Sequence, residues 1–269
     1  MRLSWVLFYD MKRAGKKEKT IREDMDNKRN IRIFSFAASC AGERSHTAEF
    51  SDILAEALRK KAKEEGFDTD YECMTGADLN VSYCRSCSSC FVKGICPLDD
   101  RDDMPILKEK MLSADILLFG TPVYAWQMSG IAKSAFDRIS YWMHRYDLLG
   151  KTCAVYSTAS ASHGPEVAEE LAQLMGFTGA VVINAGTKTF YGIEKDVDET
   201  AGRIMELYKD RASGVTPLQQ EAFIARIMLV RKYFKNLKEG EPVVNEMRVL
   251  HERGLDRYDQ IKEAIADLA

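Results

Sequence analysis

Short apolar runs and amphipathic stretches take turns along most of this chain. Ile31-Arg-Ile-Phe-Ser-Phe-Ala37 is rich in β-branched and aromatic residues and reads as a strand. From about Thr47 to Glu65, Phe50, Ile53, Leu54, Ala57 and Leu58 fall on one helical stripe, and Gly66 stops it. Phe67 to Cys73 is a second strand, and a helix runs to about Leu112. Asp115-Ile-Leu-Leu-Phe-Gly120 is continuously apolar, as in a strand covered on both faces. Gly130 to about Arg145 (helix), Lys151 to Ser157 (strand), Pro165 to Met175 (helix), Thr178 to Asn184 (strand) and Val197 to Arg211 (helix) continue the alternation. Strands and helices alternating this way predict βαβ units in an α/β, doubly wound, five-stranded parallel sheet of order 2-1-3-4-5.

Two segments fall outside this pattern. Residues 1–29 form an N-terminal arm with a short apolar stretch, Trp5 to Tyr9, followed by the basic run Lys12 to Lys19. Residues 214–269 read as helical, opened by the cap Thr216-Pro217 and divided at Gly240 and Gly254. Between them, 30–213 is the α/β domain.

Composition narrows the function. A net charge of −3 over 269 residues gives no reason to expect a nucleic-acid partner. No apolar run approaches the roughly 20 residues of a membrane span. Seven cysteines, four of them within one loop, suit ligand thiols in a reducing, cytoplasmic compartment better than a disulfide framework.

That loop is Cys84-x2-Cys87-x2-Cys90-x5-Cys96, with Pro97 after the last thiol. Four thiolates crowded into one short segment suit a 4Fe–4S cluster. Structural zinc prefers two separated C-x-x-C knuckles. The third reading is cysteines with no metal, as small packing side chains or redox thiols. Cys40, Cys73 and Cys153 lie in or beside strands and read as packing residues. The run Asp99 to Asp103 reads as a solvated helix start, and an acidic metal cluster is its alternative. His144 and His163 have no carboxylate partner visible in the sequence, and there is no Ser-His-Asp or H-E-x-x-H arrangement.

Three polar loops follow successive strands, where ligands sit in doubly wound sheets. Ser39 to Thr47 offers hydroxyls, Arg44 and a helix N-terminus, a natural phosphate cradle. It has neither a Walker lysine nor G-x-G-x-x-G. Thr121 to Ser129 carries Pro122, Tyr124 and Trp126, able to meet and flank a flat ring. Ser157 to Gly164 is small and polar enough for close approach.

These loops also carry a resemblance. The first loop, Gly94-x-Cys96-x-x-Asp99-Asp100, Ala114 to Tyr124, and Lys133-x-x-x-Asp137-Arg138 resemble the NADPH-dependent FMN reductase family, and the cysteine loop resembles its iron–sulfur flavoproteins. The resemblance covers about Asn30 to Ala185. It implies a flavodoxin-like fold, bound FMN, and a homodimer or homotetramer. It implies that Ser39, Arg44, Ser45, His46 and Thr47 hold the phosphate and that Pro122, Val123, Tyr124, Ala125 and Trp126 line the isoalloxazine. Ser157, Thr158, Ala159, Ser160 and Gly164 would belong to the third loop, and Cys84, Cys87, Cys90 and Cys96 would ligate the cluster. The chain departs from the family at Cys40 to Glu43, an insertion before Arg44, and in the single glycine of the third loop.

The expected function is an FMN-dependent oxidoreductase in which the flavin, not a side chain, carries the chemistry. Electrons would come from NAD(P)H or ferredoxin and pass to a small or protein acceptor. A clusterless NAD(P)H-dependent FMN, quinone or nitro reductase and a non-catalytic flavodoxin-like carrier are the rivals. The apolar stripe Leu218, Phe223, Ile224, Ile227, Met228, Val230, Phe234 is expected to cover a second subunit or the flavin edge, with packing on its own domain as the alternative.

Overall fold

The computed structural model describes residues 30–160 and 162–255, together with 261, 263 and 265. The expected N-terminal arm, 1–29, lies outside them. Strands β1 (Asn30–Ala37), β2 (Asp68–Thr75), β3 (Ile116–Tyr124), β5 (Thr152–Thr158) and β6 (Val181–Thr189) form a parallel sheet in the order β2-β1-β3-β5-β6. Numbered by themselves, these five strands run 2-1-3-4-5, the flavodoxin-like order. Two-residue strands β4 (Gln127–Met128) and β7 (Gly192–Ile193) fold back antiparallel on β3 and β6.

The central strands are buried on both faces because helices cover both. On one side Phe36, Leu117, Phe119 and Val155 pack with Met104, Leu107, Phe136 and Leu171. These come from α3 (Met104–Ser113), α4 (Gly130–Ile139) and α6 (Gly164–Phe177). On the other, Ile33, Leu118 and Tyr156 pack with Phe50, Leu54, Leu58 and Ile204 from α1 (His46–Glu64) and α7 (Val197–Lys209). Two short helices belong to the first side: α2 (Ser89–Lys93) in the cysteine loop, and α5 (Trp142–Arg145), where the single helix expected over Gly130 to Arg145 breaks.

Strand β6 runs five residues beyond the expected Asn184. Gly186, with φ +87°, interrupts the apolar pattern there, and the strand resumes at Thr187. The C-terminal segment forms α8 (Pro217–Asn236) and α9 (Asn245–Glu252). Thr216 caps α8 reciprocally with Gln219. Phe223, Ile227 and Val230 of α8 bury against Tyr146, Leu149 and Val181 of the same chain. Of the seven stripe residues these three are covered at home and Phe234 partly so, while Leu218, Ile224 and Met228, with Leu229 outside the stripe, are exposed. None of the described helices is long and apolar enough to cross a membrane.

Candidate functional site

Two cavities hold most of the chemistry, one at the carboxyl ends of the strands and one under the cysteine loop. The first, of 530 Å³, lies within the roughly 300–1,000 Å³ usual for small-molecule sites. Ser39, Arg44, His46, Thr47, Pro122, Val123, Tyr124, Thr158, Ala159 and Ser160 line it.

The walls are fixed by short hydroxyl contacts. Ser45 is buried and caps α1 by accepting from the Ala48 N–H at 3.1 Å. Thr47 pairs with Thr158 at 2.8 Å, so the start of α1 is tied to the end of β5. Ser129 donates to the Ala38 carbonyl at 2.6 Å, and its N–H donates to Thr121 Oγ1 at 2.9 Å, locking the loop after β3 onto the end of β1. Between β3 and β4, Ala125 and Trp126 take φ of +49° and +66°, as a two-residue hairpin turn demands. For non-glycine residues that conformation costs roughly 1–2 kcal/mol each.

Five expected residues sit away from this cavity wall. Ser45 spends its hydroxyl on the cap. Ala125 and Trp126 form the outward turn, where Trp126 stacks on His163 with ring centroids 4.8 Å apart. Ser157 is buried, donating to the Gly164 carbonyl at 2.8 Å and pairing with Thr187 at 2.9 Å. Gly164 lines a neighbouring cavity of 380 Å³.

The sequence reading missed Ala41, Glu49, Lys188, Thr189, Phe190 and Gly192, which line the first cavity. Four of them belong to the extension of β6 and its hairpin. The β-prone run Thr187 to Tyr191 closed by Gly192 was the available signal. Lys188 pairs with Glu49, and His46 Nδ1 lies 3.0 Å from the same carboxylate. Lys188 first, then His46, hold the Glu49 carboxyl below its ordinary range. Arg44 and the α1 N-terminus give the cavity positive character, Lys188 being paired with the Glu49 carboxylate that lines it too, while Tyr124 and Phe190 line it with exposed rings.

The second cavity, of 620 Å³, is lined by all four loop cysteines together with Arg85, Arg101, Asp137 and Arg138. Cys84 and Cys87 are exposed; Cys90 and Cys96 are half-buried. Among the described residues, no three His, Cys, Asp or Glu side chains are gathered as a metal-binding group. The thiols share one cavity without meeting at a point. Burial, then the neighbouring Cys96 and later Cys84, push the Cys90 thiol up. The Ser86 N–H donates to Cys84 Sγ at 3.4 Å. Soft thiolate donors on a single cavity fit an iron–sulfur cluster by donor chemistry.

Arg138 lines this cavity. It is the last but one residue of α4, and its side chain is fully buried. It donates to Asp102, to Asp99 at 2.7 Å and to the Ser82 carbonyl at 3.1 Å. Lys108 donates to both Asp99 oxygens, at 3.0 and 2.7 Å. Within the Asp99–Asp103 run, Asp102 and the partly exposed Asp99 thus enter a charge network with Arg138 and Lys108, while Asp100 and Arg101 stay exposed and Asp103 stands at the start of α3, as expected of a solvated helix start. Burial alone would depress the Arg138 guanidinium, but its bonds to Asp102 and Asp99 hold it above its ordinary value. Burial likewise works to raise Asp102, yet Arg138 and the N–H groups of Ser82 and Met104 keep it low.

Elsewhere, all seven cysteines are free thiols. Cys153 is buried and its thiol is pushed up by burial. Cys40 is exposed rather than packed, because it lies just past the end of β1. His144 does find a carboxylate: its Nδ1 lies 2.7 Å from Glu246, 102 residues away in sequence.

Residues 31–192 match the NADPH-dependent FMN reductase family. The chain belongs to that family. Its members are FMN-dependent oxidoreductases, and both cavities lie within the matched part of the chain. Among curated relatives, an iron–sulfur flavoprotein of Methanosarcina thermophila is 29% identical over 169 residues, covering 58% of this chain and 85% of that protein. An iron–sulfur flavoprotein of Archaeoglobus fulgidus is 31% identical over 98 residues, 36% of this chain. The chain spans only 43% of that relative's length. An FMN-dependent NADPH-azoreductase of Staphylococcus aureus is 36% identical over 66 residues, 23% of this chain and 35% of that one. Among solved structures, RosB with bound 8-demethyl-8-formylriboflavin-5′-phosphate superposes with a TM-score of 0.52. It is 14% identical and covers 80% of this chain and 92% of that one, a likeness of fold.

Proposed function

We propose that this chain is an FMN-dependent oxidoreductase of the iron–sulfur flavoprotein type, with FMN in the first cavity and a 4Fe–4S cluster on Cys84, Cys87, Cys90 and Cys96. The observation that carries it is that four thiol-bearing residues line one cavity together with a buried arginine. The named iron–sulfur flavoproteins among the relatives support it.

Arg44, Ser39, Thr47 and the α1 N–H groups would hold the phosphate, with Lys188 adding charge. Pro122 to Tyr124 and Thr158 to Ser160 would face the ring. When bound, FMN supplies hydride and electron transfer at its N5. Electrons would enter from NAD(P)H or ferredoxin and leave to a small or protein acceptor. The outward row Leu218, Ile224, Met228 and Leu229 supports a homo-oligomer, dimer or tetramer. A clusterless NAD(P)H-dependent reductase is the second reading, favoured by the azoreductase relative.

Anaerobic purification with flavin, iron and sulfide analysis tests the proposal. The expected result is bound FMN with about four iron and four sulfide per chain. Alanine at Cys84, Cys87, Cys90 or Cys96 should each cut the iron sharply and leave FMN in place, and Cys153→Ala should do neither. Stoichiometric zinc, or FMN with no iron after anaerobic reconstitution, would hand the case to the clusterless reductase.

A further inference from the structure

Helix α2 carries Cys90 and leads into Cys96, yet it has little to hold itself together. It spans only five residues, far below the length at which a helix is stable alone. It begins after a left-handed Ser88, has no side-chain cap and buries none of its residues. Its order must come from outside.

The structure shows where. Helix α9 packs against α2 and against α5. Asn245, the first residue of α9, lies over Gly94, the left-handed residue that ends α2. A Cβ on Gly94 would meet the Asn245 amide group at 2.7 Å. Arg145 of α5 donates to Asn245 Oδ1 at 2.9 Å, which fixes that amide where it covers Gly94. One residue on, Glu246 lies 2.7 Å from His144 Nδ1 and 3.3 Å from Arg226 Nη2 of α8. The His144 ring in turn meets Phe91 of α2 edge-on, with centroids 4.9 Å apart. A chain of contacts therefore runs from α8 and α9 through His144 and Asn245 to the middle and the C-terminal end of the helix that bears Cys90. Both α8 and α9 lie beyond the family match, which stops at residue 192.

We propose that the C-terminal extension is a brace for the cysteine loop: Asn245 and Glu246 are positioning residues that hold α2 so that Cys90 and Cys96 face the cavity shared with Cys84 and Cys87. The brace acts on the loop whether or not metal is present. Its effect on cluster retention rests on the cluster reading above.

The test uses the full chain with Asn245→Ala and Glu246→Ala combined, and with Glu246→Gln alone as a milder variant. Glu221→Ala, on the exposed face of α8, is the control. Iodoacetamide alkylation of the iron-free protein, resolved by cysteine, reads the loop directly. Cys90 and Cys96 should react about tenfold faster in the double variant, the size expected for losing a charge-assisted contact. Cys40, Cys153 and FMN affinity should stay at wild-type values. In iron-loaded protein, release of iron to a chelator should accelerate to a similar degree. Wild-type alkylation rates at Cys90 and Cys96 in both variants would overturn the brace. If the wild type takes up no iron, the cluster reading fails while the alkylation series still decides the brace. A double variant that fails to fold leaves Glu246→Gln to decide by the same measurement.

Discussion

The two cavities are built on opposite principles. The flavin cavity is an outgrowth of the sheet: its walls are strand ends and one helix start, tied by the Thr47–Thr158 and Ser129–Ala38 contacts within a few residues of regular structure. The cysteine cavity is built from a loop whose backbone bends through left-handed Ser86 and Ser88. It is held by charges from α3 and α4 and packed from behind by α5 and α9. A site grown from a sheet inherits the sheet's rigidity. A site made of loop must be ordered by side chains from distant parts of the chain, and each of those is a separate point of failure.

Arg138→Met is the sharpest way to break the difference. It leaves the buried Asp102 carboxylate beside an apolar group with no cation, a defect that costs about 3–5 kcal/mol, while Asp99 keeps Lys108. Chemical denaturation should show the loss. Limited proteolysis should cut first between residues 82 and 103, before FMN is released. Simultaneous loss of flavin and loop would show that the two cavities form one cooperative unit.

Arg44→Ala probes the sheet-built side. It should remove a charge-assisted phosphate contact of about 1.5–3 kcal/mol, weakening FMN roughly ten- to a hundredfold while riboflavin binding is unchanged. Flavin fluorescence titration reads both ligands. Equal affinity of the wild type for FMN and riboflavin would remove the phosphate cradle from the account.

Acid should separate the two more gently. Asp102 is held below its ordinary value in the folded chain, so the unfolded chain binds its proton more readily. The stability it contributes is complete above the ordinary aspartate range and is lost as the pH falls through its lowered folded value. Glu246 follows the same sign: burial works to raise it, but the His144 contact outweighs that and holds it low. Proteolysis of the cysteine loop should therefore quicken on acidification below about pH 4, the ordinary carboxylate region. Loop cleavage unaffected by acid would place its order elsewhere.

The same contrast explains what the sequence could tell. The five parallel strands were legible, the inner ones because two-sided burial writes continuous apolar runs such as Ile116 to Phe119, whereas the two-residue β4 and β7 were not. Most of the first cavity followed, since strand ends fix where its loops must lie. Lys188 and Phe190 were missed because Gly186 broke the run that would have extended β6. The four cysteines were legible as a group, but nothing local announced their supports. Arg138 lies 36 residues from Asp102, and His144 lies 102 from Glu246. Pairings at that separation are decided by tertiary packing, so a charged run such as Asp99 to Asp103 reads as surface until its partner is seen.

Helix α4 gives these distances one further meaning. It starts at Ser129, the cap that locks the flavin loop, and reaches Arg138 in the wall of the cysteine cavity. Its ten residues make a spacer of about 15 Å. A substitution on this helix is felt where it is made. An inserted or deleted residue would instead turn everything downstream by about 100°, swinging Arg138 away from Asp99 and Asp102 while Ser129 stays in place. The helix works as a ruler between two centres, and on a ruler the number of marks matters more than what is written beside them.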